Sequence, residues 1–146
     1  MARLRDLKWD DYGIDKFRYQ ELRYFCLQYP AKLKGAEYTV QSSSVSGGRR
    51  PSGISRPTEA AAVRNVARQE RAQRDLDQIC SAAKWAASAG GFRDAWRSIV
   101  EHVAYKKPFD TLDVPFSVAD FYGIRRAFYY ALDCLQQTGA LPQGFP

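Results

Sequence analysis

Residues 58–88, TEAAAVRNVARQERAQRDLDQICSAAKWAAS, decide the fold. Alanine, arginine and glutamine dominate this stretch, and a helix accepts all three at low intrinsic cost. Neither glycine nor proline interrupts it. Thr58, directly after Pro57, reads as an N-cap with Glu59 in the first turn. Gly90-Gly91 supplies the break at the other end. The spacing therefore predicts one long helix from Thr58 to about Ser88. Its halves differ. From Arg68 to Asp75 there is no large apolar residue, which predicts exposure, whereas Leu76, Ile79, Cys80 and Ala83 form a stripe able to reach a core.

Working outward, Phe92, Trp96, Ile99, Val100 and Val103 predict an amphipathic helix of about three to four turns, closed by Lys106-Lys107-Pro108. Phe109 to Val114 reads as a short helical piece stopped by Pro115. Ser117 then fits an N-cap, with Asp120 in capping-box spacing. The closing helix carries Phe121, Ile124, Phe128, Leu132 and Leu135 on one face, and Gly139 ends it. Towards the N-terminus, Tyr19, Leu22, Cys26 and Tyr29 make a helical face, with Arg18, Glu21, Arg23 and Gln28 turned away. Pro30 ends or bends that helix. Residues 1–12 read as a polar lead-in holding Trp9 and Tyr12. Glu37 to Gln41 is the one weak candidate for a strand.

The fold expected is all-α: a small helical bundle with one long helix, a flexible Ser/Gly/Arg linker and a C-terminal helix-turn-helix. Its parts are an N-terminal helical segment (1–40), the linker (41–57), a helical core (58–140) and an irregular tail (141–146). Serine, glycine and proline dominate the linker, which buries too little to offset its ordering entropy.

Composition removes several functions. With 146 residues, 45% of them hydrophobic, the chain suits one domain with a modest core. No run approaches the roughly 18–20 apolar residues of a membrane helix, and the charged N-terminus has no signal-peptide core. Cys26, Cys80 and Cys134 are an odd number with no CxxC pair, which fits a reducing cytoplasm. All three sit on apolar helix faces, as small core residues do. His102 is the single histidine, so neither a triad nor a metal set is expected. Asp10-Asp11 and the Asp110/Asp113 pair read as surface charge. Gly47-Gly48-Arg49-Arg50 lacks the ending of a phosphate loop. The expectation is no enzyme, no cofactor, no metal, no membrane and no small-molecule substrate.

The formal net charge of +6 favours a polyanionic partner. Residues 49–74 hold seven arginines against Glu59 and Glu70, a local excess of +5. Arg64, Arg68, Arg71 and Arg74 fall on one helix face over about 15 Å. A solvated face is the plain reading; contact with a phosphate backbone is the functional one. The corner formed by Phe109–Val114, Pro115-Phe116 and the helix from Ser117 has helix-turn-helix proportions. It would present Val118, Ala119, Tyr122 and Arg125 to a groove, with Arg126 on a phosphate.

Trp9-Asp10-Asp11-Tyr12-Gly13-Ile14, Phe17-Arg18-Tyr19 and Glu21-Leu22-Arg23-Tyr24-Phe25-Cys26-Leu27-Gln28-Tyr29-Pro30 resemble the opening of a family of small phage and prophage proteins from Gram-positive gut bacteria. Ser52-Gly53-Ile54-Ser55-Arg56-Pro57-Thr58-Glu59 resembles that family's lead into a long helix. Val114-Pro115-Phe116 and Phe121-Tyr122-Gly123-Ile124-Arg125-Arg126-Ala127-Phe128 resemble its closing segment. The family is distantly similar to the RinA and ArpU phage regulators, whose helix-turn-helix resembles sigma-factor region four. The resemblance implies a DNA-binding regulator of late phage transcription in the bacterial cytoplasm, with host RNA polymerase as a second partner. One departure is Ser117-Val118-Ala119-Asp120, where relatives carry basic residues; it moves weight towards the arginine stripe.

The expected double-stranded DNA contacts are Ser117, Tyr122, Arg125 and Arg126 from the closing helix, Arg64, Arg68, Arg71 and Arg74 from the long one, and Arg49 and Arg50 from the linker. Two rival readings are a packaging protein resembling a small terminase subunit, which would form a homo-oligomer, and an inhibitor of a host protein.

Overall fold

A computed structural model describes the backbone of residues 4–44 and 55–146, and the side chains of 4–36 and 59–146. Arg49, Arg50 and most of the expected linker lie outside the described residues. Among the described residues the helices are α1 (Lys16–Leu27), α2 (Tyr29–Ser44), α3 (Ser55–Ala89), α4 (Trp96–Tyr105) and α5 (Val118–Thr138). Four 3₁₀ turns accompany them, at Leu4–Asp6, Asp10–Tyr12, Arg93–Ala95 and Phe109–Thr111. Among the described residues there is no strand; the protein is all-α, as its periodicity predicts.

The chain divides into two compact units, one of residues 1–28 with 78–146, the other of residues 29–77. The sequence suggests parts at 1–40, 41–57 and 58–140; in the fold α3 is continuous from Ser55 to Ala89 and contributes to both units. The helix α2 is new. Pro30 neither ends nor bends a helix; it occupies the first turn of the next one, where its missing N–H costs nothing. Residues 37–41 are therefore helical, and the segment read as linker is helix at both edges, 41–44 and 55–57.

In the unit of residues 29–77, two polar contacts join α2 to α3. Lys32 Nζ lies 2.9 Å from Asp75 Oδ2, and Gln69 Nε2 donates to the Ala36 carbonyl at 3.1 Å.

In the other unit α5 is central. Ser117 caps it, its Oγ accepting the Asp120 N–H at 3.2 Å, and Gly139 ends it at φ +77°. Phe121, Ile124, Phe128 and Leu132 are fully buried, as their spacing predicts. Burial continues round the helix to Gly123, Ala127, Tyr129 and Ala131, because the lead-in is not a loose arm. It folds into its two turns and covers the remaining side. A Cβ on Gly123 would stand 2.7 Å from the Arg5 backbone nitrogen, so only glycine admits this approach. Trp9 packs on Tyr19 and Tyr129 with ring centroids 4.7 and 5.9 Å away. Tyr12 packs on Tyr130 at 4.9 Å, and burial pushes its phenol up to about 12.

Arg18 does not face away from the core. Its Nε donates to Asp133 at 2.7 Å and its Nη2 to Gln136 at 2.9 Å, which ties α1 to α5. At the far end of α3, Gly90 lets Ile124 approach: a Cβ there would stand 2.7 Å from the Ile124 side chain.

Candidate nucleic-acid interface

The stripe on α3 exists because that half of the helix has almost nothing to bury. Every described residue from Glu59 to Arg68 is exposed. Arg64, Arg68, Arg71 and Arg74 are all exposed, and none makes an ion pair or a side-chain hydrogen bond among the described residues. Asp75, the carboxylate that follows Arg74, is paired with Lys32. That pairing unites residues 43 positions apart, and no local pattern announces it. Four guanidinium groups are thus left unneutralised along about 15 Å of helix, a length over which duplex DNA presents one charge per ~1.7 Å.

The closing helix is arranged differently. The expected first helix of the corner, Phe109–Val114, is one 3₁₀ turn, Phe109–Thr111, followed by extended backbone at Leu112. Pro108 and Pro115 bracket the segment and leave too few residues for a helix. Leu112 and Phe116 are buried. Phe116 meets Phe92 at 4.6 Å and Phe109 meets Phe121 at 5.0 Å. The segment is a hydrophobic lid on the start of α5.

Arg125 and Arg126, expected as DNA contacts, both have partners within the protein. Arg125 Nη2 donates to the Tyr19 hydroxyl at 2.7 Å, its Nη1 lies 3.3 Å from His102 Nε2, and its carbon lies 5.1 Å from the Tyr122 ring. Arg126 Nε donates to the Leu7 carbonyl at 2.8 Å and Nη2 to that of Arg5 at 3.1 Å. Both side chains are engaged within the protein, while Arg125 Nε is buried without a hydrogen-bond partner among the described residues. Ser117 is exposed, but its hydroxyl serves the cap. Tyr122 retains 38% exposure. From α5, only Val118, Ala119 and Tyr122 offer side chains to a groove as expected, with no free cation among them.

His102 belongs to the same network. Its Nδ1 lies 2.8 Å from the Lys107 carbonyl, which can only accept, so Nδ1 carries the proton. Nε2 is then bare and accepts from Arg125. Burial, with the nearby Arg125 charge, lowers the imidazole pKa against the opposing pull of the Lys107 carbonyl. The ring also meets Phe121 edge-on at 4.8 Å. This is a structural histidine.

Among the described residues no group of three or more His, Cys, Asp or Glu side chains is placed to hold a metal ion, and no helix is long and apolar enough to cross a membrane. Cys26 is fully buried; Cys80 and Cys134 are partly so. No protein-family model, curated protein or solved structure matches the chain.

Proposed function

We propose that this is a non-enzymatic helical protein that binds double-stranded DNA through Arg64, Arg68, Arg71 and Arg74, and that it regulates late transcription of a phage. The observation that carries the DNA reading is the exposed stripe of arginines, none with a carboxylate partner among the described residues. The regulatory role rests on the resemblance of the opening and closing segments to the phage family. With Arg125 and Arg126 engaged inside the protein, the contact is to the phosphate backbone and carries little base readout.

The test is duplex binding measured by anisotropy across salt. Four phosphate contacts give a log–log slope of about −3.6, hence a loss of roughly 100-fold between about 50 and 200 mM salt. Replacing all four arginines with glutamine abolishes that slope. Binding that ignores salt, or survives the fourfold replacement, defeats the reading.

A second reading, assembly into a packaging ring, draws on Val63 and Val66, which are 70% and 48% exposed on the same half of α3. Solution mass separates the two: a ring of about eight or more chains supports packaging, and a monomer or dimer supports regulation.

A further inference from the structure

A groove of about 760 Å³ lies in the unit of residues 1–28 and 78–146, between the end of α3, the turn Arg93–Ala95 and the C-terminal tail. Its walls combine flat rings with cations. Trp85 packs against Phe145 of the tail, ring centroids 5.1 Å apart. Trp96 carries two cations over its ring, Lys84 Nζ at 4.7 Å and the Arg97 guanidinium at 5.3 Å. Arg93 lines the same groove. Among the described residues no carboxylate lies within ion-pair distance of Lys84, Arg93 or Arg97. One acid, Asp94, stands on the wall, so the local balance is positive.

We infer that this groove is a binding site for single-stranded nucleic acid, with a base on the Trp96 ring and its phosphates on Lys84, Arg93 and Arg97. The chemistry selects this ligand over other anions. An acidic peptide would satisfy the cations and leave the two indoles idle. A base linked to phosphate uses both, because every base has a face to stack and a charge one sugar away. Lys84 gives the site a simple exchange. In the free protein its ammonium rests over the indole, a weak cation–π contact at an exposed position. Its flexible stem lets it swing to a phosphate and uncover the ring for stacking. The site is separate from the α3 stripe and does not depend on it.

The experiment titrates the full chain with oligo(dT) of about eight nucleotides and follows tryptophan fluorescence. Saturable quenching is expected, and the Lys84→Gln/Arg93→Gln double variant loses about tenfold in affinity. Both positions are exposed, so the fold should tolerate the change, which circular dichroism verifies. Trp96→Phe removes most of the quenching, whereas Trp9→Phe, which does not line the groove, leaves it. A glutamate-rich peptide of matched charge fails to compete. Absence of quenching, quenching unchanged in the double variant, or equal competition by the peptide would each overturn the inference.

Discussion

Two regions of this protein hold clustered arginines on helices, and they use them in opposite ways. On α3, Arg64, Arg68, Arg71 and Arg74 stand exposed with no acidic partner among the described residues. On α5, Arg125 and Arg126 spend their donors on a tyrosine, a histidine and two backbone carbonyls. A guanidinium offers five donors and no acceptor, so its role is set by which acceptors the fold brings within reach. On α5 the lead-in supplies carbonyls and α1 supplies a hydroxyl. Among the described residues, the arginines on the exposed half of α3 are supplied with none. Equal charge in the sequence therefore serves structure in one place and is left exposed in the other.

The sharpest way to break the comparison is at the contact that makes α5's arginines structural. Gly123→Ala drives a methyl group into the Arg5 backbone. The expected loss is about 3 kcal/mol, read as a lower urea midpoint, with the lead-in freed to proteolysis. A stable Gly123→Ala protein would show that the lead-in is dispensable. Next, Arg126→Met removes two hydrogen bonds from a charged donor and should cost about 2 kcal/mol. The salt slope of duplex binding should stay unchanged. If that slope drops instead, Arg126 reaches DNA and the contrast collapses.

Ser117→Ala tests the cap alone and should cost about 1 kcal/mol. Acid sharpens the His102–Arg125 link. The neutral imidazole is the form the fold favours, so its contribution is complete above the ordinary histidine value of about 6.5. It is lost as pH falls through the lowered value of the folded state. An acid limb in thermal stability that is flattened in His102→Gln would establish this, and identical limbs would refute it. The smallest effect belongs to the stripe: Arg68→Gln with Arg71→Gln should shift stability by no more than about 0.5 kcal/mol, while duplex affinity falls.

Some of the contrast was legible beforehand. On a helical wheel Arg125 lies about 40° from Phe121, roughly 20° beyond Leu132 at the edge of the apolar arc, so the period alone leaves its course open. Arg126 lies about 140° from Phe121, on a side that periodicity leaves to solvent. Its partners sit about 120 residues earlier in the chain, and a local pattern contains nothing of them. The stripe on α3 was readable for the opposite reason: a stretch without large apolar residues has no face to bury. The groove left its own trace in two adjacent pairs, Lys84-Trp85 and Trp96-Arg97, but their convergence required the turn at Gly90-Gly91.

By itself the sequence determined that this chain is helical, where its long helix runs, which face of α5 is apolar and how that helix is capped. These are consequences of periodicity, propensity and end chemistry, all of which act within a few residues. The tertiary structure alone decided that the lead-in closes over α5, that the segment expected as the first helix of the corner is an aromatic lid, and that two arginines are held while four have no partner among the described residues. Those outcomes depend on acceptors and ring faces contributed from distant positions, and only the packed fold brings them into contact.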